Sequence, residues 1–163
     1  CQIMALRAAR NAGIDVPKSA VDACTEYVRS CQNSDGGFMY QLPEGASDFP
    51  RSAAGLVALY MAGVYKGPEI NKALEYLMRF LPRPGQPRWL EKYYYYGHYH
   101  AAQAIWHAGG DYWARWYPAI RDDLINRQQV DGSWQDGYSN EYATAMALIV
   151  LQLPNNLLPI LQR

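Results

Sequence analysis

The chain has 163 residues, a size for one domain, and half of them are apolar; fifteen basic and fifteen acidic side chains cancel to zero net charge. The apolar half excludes intrinsic disorder, and the absent positive excess excludes strong electrostatic binding to nucleic acid or an anionic membrane surface. Fourteen Tyr and five Trp stand against three Phe, so most rings carry a polar tip that suits half-wet surfaces and pockets.

Apolar stripes of helical period predict helices over 2–12, 18–31, 51–62, 68–80, 93–108, 113–128 and 140–152. Breakers separate them: Gly13, Asp35-Gly36-Gly37, Gly63, the Pro82 to Pro87 stretch, Gly109-Gly110, Asp131-Gly132 and Pro154. Pro17 and Pro68 sit just ahead of or inside first turns, and Ser52 and Ser139 are expected as capping residues. Long alternation of period two is absent, so the expected fold class is all-α. The longest apolar stretch, Ala143 to Leu151, is shorter than the roughly 20 residues a bilayer-spanning helix needs, and no transmembrane segment is expected. The chain starts at Cys1 without a signal-peptide pattern and inside a predicted helix, as expected of a fragment of a longer protein. Cys24 and Cys31 lie about 10 Å apart along one helix axis, too far to bridge, and are expected as free buried thiols.

A repeat runs through the breakers. Gly13, Gly63 and Gly109, at spacings of 50 and 46, each follow a helix rich in small residues. Gln32-Asn33-Ser34-Asp35-Gly36-Gly37-Phe38 matches Gln128-Gln129-Val130-Asp131-Gly132-Ser133-Trp134 position by position, 96 residues later. Halfway between, Leu81 to Pro87 keeps a glycine and loses the Gln, Asp and aromatic. The unit is about 48 residues: helix, glycine turn, second helix, Asp-Gly turn. In that unit the Gln side chain can pair main-chain groups at a helix end between neighbouring units. The Asp-Gly pair supplies the turn, and the aromatic covers it.

The run Leu124-x3-Gln128-x3-Gly132-x-Trp134 resembles the second half of the QW motif of the prenyltransferase and squalene-cyclase repeat families. Gln32-x3-Gly36-x-Phe38 is similar, with Phe in place of Trp. The resemblance implies an α/α toroid, first helices lining a central cavity and second helices outside. Three and a half hairpins over residues 1–163 would form an arc of such a toroid as a single repeat domain. Missing N-terminal repeats, or a second copy in a homodimer, would cover its ends.

The resemblance also sets chemical expectations, and this sequence departs from each. Class II terpene cyclases protonate substrate from an Asp-x-Asp-Asp motif; none is present, and Arg121-Asp122-Asp123 falls on a predicted outer helix as a solvated face. Protein prenyltransferases hold zinc with Asp, Cys and His; Asp48-Phe49-Pro50-Arg51 contains neither Cys nor His. The Cys-Gly-Glu-Gln thioester motif of related toroids is missing. No cofactor and no metal site is expected.

More than half of the Tyr and Trp residues fall between Trp89 and Trp116. Four consecutive tyrosines, Tyr93 to Tyr96, cannot share one helix face. Positions 94, 98, 101 and 105 form one stripe, and 96, 99, 100, 103 and 107 another. Two readings are open for these rings: packing between helices, or an aromatic wall for an apolar or cationic small ligand. His100 and His107 share a face that His98 does not join, and paired core histidines are expected rather than metal ligands. Asp48, Arg51, Glu91 and Glu141 fall near the starts of inner helices, where the dipole favours carboxylates. The candidate pocket is therefore Asp48, Arg51, Tyr94, Tyr95, His98, Trp106, Glu141 and Tyr142, with Glu141 and Tyr142 facing Tyr94 and His98. The expected role is a scaffold or binding module without catalytic residues of its own. The alternative is part of a lipid- or terpenoid-handling cyclase whose acid motif lies on other repeats.

Overall fold

The computed structural model describes residues 2–83 and 93–157. The expectations placed on Cys1, Trp89, Glu91 and the glycine turn at Gly85 lie outside these residues. Among the described residues there are seven α-helices, a short 3-10 turn and no strand. The fold is all-α. The helices are α1 (Gln2–Asn11), α2 (Lys18–Ser30), α3 (Phe49–Met61), α4 (Pro68–Met78), α5 (Tyr94–Ala108), α6 (Gly110–Arg127) and α7 (Asn140–Gln152). Each matches one predicted segment to within three residues. The Leu153–Asn155 turn closes α7.

The chain divides into two compact units, Cys1–Leu77 and Met78–Arg163. In the first, α1, α2 and α3 pack against one another around α3. That helix is apolar on every side, as a helix enclosed by its neighbours must be, and Ala53, Leu56, Val57 and Leu59 are fully buried. In the second unit α5 holds the same place, packed on α6 and α7, with ten buried residues.

The glycine turns repeat at the level of hydrogen bonds. Gly13 and Gly63 both sit at positive φ, where a side chain would be strained. After α1 the N–H of Ile14 donates to the Ala9 carbonyl, and after α3 that of Val64 donates to the Leu59 carbonyl. The two helices end in the same left-handed cap. Ser139 caps α7, accepting from the Tyr142 N–H. Ser52, expected as a cap, is instead buried inside α3, because that helix starts earlier, at Phe49 with Pro50 in its first turn. Its hydroxyl donates to the Asp48 carbonyl and accepts from the Phe38 N–H at 2.8 Å.

The matched turns after α2 and α6 are built alike. Gln32 Nε2 donates to the Gly36 carbonyl at 3.0 Å, and Gln128 Nε2 to that of Gly132 at 2.9 Å. The Asp35 carboxylate accepts from the Gly37 N–H, and that of Asp131 from the Ser133 N–H, each at 2.9 Å. Phe38 and Trp134, each 2% exposed, close the turns, with their N–H groups held by Ser52 and Thr144 on the following helix. The Trp134 indole N–H also donates to the Leu124 carbonyl at 2.7 Å, satisfying an acceptor in the last turn of α6. Cys24 and Cys31 are free thiols, the second buried and the first half-buried.

Candidate functional site

The aromatic run forms α5, and its tyrosines diverge as helical geometry requires. Tyr94 and Tyr95 are buried, with rings edge to face at 5.0 Å, whereas Tyr96 and Tyr99 are half-buried.

The Tyr94 stripe turns toward α6. The Tyr94 hydroxyl donates to Asp123 Oδ2 at 2.5 Å, and Arg127 Nε donates to the same oxygen at 2.8 Å. The Arg127 guanidinium lies over the Tyr94 ring, 4.1 Å from its centre. Asp123 is thus held by two donors and is not the solvated group expected: four residues from Arg127, it shares with it the face of α6 that Tyr94 meets. Asp122, its neighbour, does pair with Arg121 in solvent. His98 packs on Tyr94 at 4.4 Å and on Trp116 at 5.6 Å. Burial pushes its pKa down to about 3, with Asp123 opposing and Arg127 adding to the effect. Trp106 meets Trp113 edge to face at 4.9 Å, and Trp113 stacks on Tyr117. Tyr94, His98 and Trp106 are therefore engaged between α5 and α6.

The second stripe carries Tyr96, Tyr99 and His100. The His100 ring lies 4.6 Å from that of Tyr96 and 4.9 Å from that of Tyr99, edge-on to both. His100 is 6% exposed, and its Nδ1 has no hydrogen-bond partner among the described residues. Burial lowers its pKa to about 4, so the imidazole is neutral at physiological pH. Burial, and then Tyr99, raise the pKa of Tyr96; burial, and then Asp136, Tyr96 and Tyr138, raise that of Tyr142 on α7.

Glu141 lies exposed in the first turn of α7, where its carboxylate accepts from the Ser139 hydroxyl at 2.7 Å. That bond, then its own N–H, lowers its pKa, which suits an ionised end-of-helix carboxylate rather than an acid. Asp123 and Arg127 on α6 meet Tyr94, and Trp116 on α6 meets His98, whereas Glu141 is held by Ser139. Asp48 and Arg51 belong to the first unit, at the start of α3, and form an ion pair of 3.5 Å at the surface. Arg51 also lies 5.8 Å over the Tyr40 ring.

A cavity of about 190 Å³ in the second unit is lined by Tyr94, Tyr95, Arg127, Gln129, Gln135, Asp136 and Gly137. Two amides, a guanidinium and a carboxylate make it polar, and of the residues expected at a pocket it contains Tyr94 and Tyr95. The four polar residues had no signal beyond their nearness to the Gln128 turn. Among the described residues no three His, Cys, Asp or Glu side chains gather as metal ligands. None of the described helices is long and apolar enough to cross a membrane.

The chain is 27% identical over 154 residues to lanosterol synthase of Pneumocystis carinii, a match covering 76% of this chain and 21% of that protein. The likeness supports a squalene-cyclase-like family, at that coarse level. The chain spans about a fifth of the length of this relative. No family profile matches it, and neither does any solved structure.

Proposed function

We propose that this chain is a segment of a squalene-cyclase-type repeat domain, an arc of an α/α toroid with two QW-type turns. Its part is to offer an uncharged aromatic surface to an apolar ligand, while any acid chemistry comes from other repeats. The observation that carries this reading is the Tyr96–His100–Tyr99 cluster, in which the His100 ring meets both tyrosine rings edge-on and the histidine is held neutral by burial. Rings without a fixed charge suit hydrocarbon and can stabilise a cation that develops beside them. Asp131 and Glu141 have lowered pKa values and stay deprotonated, so neither is a proton donor to an alkene.

The test is a titration of the 163-residue chain with trans,trans-farnesol, read by intrinsic fluorescence. Saturable binding, weakened at least tenfold by Tyr96→Ala or Tyr99→Ala and unchanged by Tyr40→Ala, is the expected result. Equal affinity in all four proteins would overturn the reading. A ligand-free scaffold is the second reading, favoured by the engagement of Tyr94, His98 and Trp106 between α5 and α6. It predicts no saturable binding.

A further inference from the structure

The polar cavity beside Tyr94 and Tyr95 is built from residues that the repeat turn does not require. At the matched positions of the first turn, 96 residues earlier, Cys31, Asn33, Met39 and Tyr40 stand where the second has Arg127, Gln129, Gln135 and Asp136. Asn33 is closed within its own loop, where its Nδ2 donates to the Gly45 carbonyl at 3.0 Å and to Ser47 Oγ at 2.9 Å. Both turns form alike with these different residues, so the turn itself does not account for the polar set at the second.

The side chains of that set are positioned and still have hydrogen-bonding capacity. Gln129 Nε2 donates to the Arg127 carbonyl at 2.9 Å, which leaves its second amide N–H and its Oε1. Asp136 Oδ1 accepts from the Tyr138 N–H at 2.8 Å, which leaves Oδ2. The Gln135 side chain makes no hydrogen bond among the described residues. The Gln129 N–H donates to the Ser133 carbonyl at 2.8 Å, and Trp134, buried next to Gln135, is anchored through its two N–H groups to Thr144 and Leu124. The backbone that carries the three polar side chains is thus fixed before any ligand arrives.

The walls define the ligand's chemistry. Arg127 and Asp136 bring opposite charges to one small cavity, and Arg127 Nε is committed to Asp123. An anion drawn to Arg127 would meet the Asp136 carboxylate, and a cation drawn to Asp136 would meet the guanidinium, so a neutral ligand is favoured. Two amides and a carboxylate can both accept from and donate to several hydroxyls. The Tyr94 and Tyr95 rings supply an aromatic wall on which C–H groups pack. The volume of about 190 Å³ equals roughly six waters of liquid, room for one pyranose ring. We propose that this cavity is a binding site for a neutral polyhydroxylated ligand of monosaccharide size. Gln129, Gln135 and Asp136 take its hydroxyls, and the tyrosine rings take its C–H face. This site is separate from the apolar-ligand reading, which concerns Tyr96, Tyr99 and His100.

The test titrates ¹⁵N-labelled 163-residue chain with methyl α-D-glucopyranoside, methyl α-D-mannopyranoside and methyl β-D-galactopyranoside, each to about 50 mM. At least one should saturably shift the Gln129 and Gln135 side-chain amides and the Gly137 N–H, with a Kd of about 5 mM or lower. Gln135→Ala and Asp136→Asn should each weaken that binding at least fivefold. Gln135 is exposed, and asparagine at 136 keeps the acceptor for the Tyr138 N–H, so both variants should unfold at the parent's temperature. No saturable shift with any of the three glycosides, or unchanged affinity in either variant, would overturn the proposal. So would tighter binding of inorganic phosphate at the same signals, which would make the cavity an anion site on Arg127.

Discussion

Replacement of Trp134 by alanine probes the turn on which the repeat depends. The indole is 2% exposed, and truncating a buried Trp to Ala costs about 3–5 kcal/mol in transfer and cavity terms. The substitution also strips the Leu124 carbonyl of its 2.7 Å donor, near the end of α6, where the Gln128 N–H has gone to Ile125 instead. A lost bond of that kind adds about 0.5–1.5 kcal/mol when water can reach the site. Trp134→Ala should therefore lower stability by about 4–6 kcal/mol in a urea titration followed by far-ultraviolet circular dichroism. In a chain of this length that corresponds to a fall of about 10–20 °C in the melting temperature. Trp134→Phe keeps a ring, as Phe38 does in the matched turn, and removes the N–H donor; about 1–2 kcal/mol is expected. A loss under about 1 kcal/mol for Trp134→Ala, or equal losses for both variants, would refute the assignment of the indole as cover and cap.

The buried histidines predict a pH dependence of stability. His98 and His100, with folded pKa values of about 3 and about 4, stay neutral while the unfolded chain takes up protons below about 6.5. The unfolded state then binds more protons, so stability is full above pH 6.5 and falls on acidification toward 4, by at most about 1.4 kcal/mol per pH unit and group. Urea midpoints measured between pH 6.5 and 5 should show this slope, and His98→Gln or His100→Gln should each remove up to half of it; a flat profile in the parent chain would contradict the burial of both rings. The glycines predict an asymmetry. Gly36→Ala and Gly132→Ala both place a Cβ at positive φ, worth about 1–2 kcal/mol, but only Gly36→Ala also collides with the Lys72 carbonyl. Gly36→Ala should therefore unfold at clearly lower urea than Gly132→Ala, and equal midpoints would show that α4 does not press on that turn.

What could be read without coordinates follows the range of the forces involved. The Gln32 and Gln128 turns were legible because their bonds close within seven residues: amide to glycine carbonyl, carboxylate to the N–H two residues on. The helices were legible for the same reason, since an apolar period and a glycine at positive φ are local facts. The expected pocket was not local. Four adjacent tyrosines fix that their rings diverge, but which ring meets which helix depends on how α5 rolls against α6 and α7. The roll that buries Trp116 beside His98 also delivers Tyr94 to Asp123, and this one rotation displaces the expected meeting of Tyr94 and His98 with Glu141. It leaves Tyr96, Tyr99 and His100 as the stripe open to another role. Arg121-Asp122-Asp123, on a predicted outer helix, reads as a solvated face until a tyrosine from another helix arrives to claim Asp123. Local hydrogen bonding thus set the scaffold, and the choice of helix faces, a collective outcome of packing large rings, decided which aromatics were left for function.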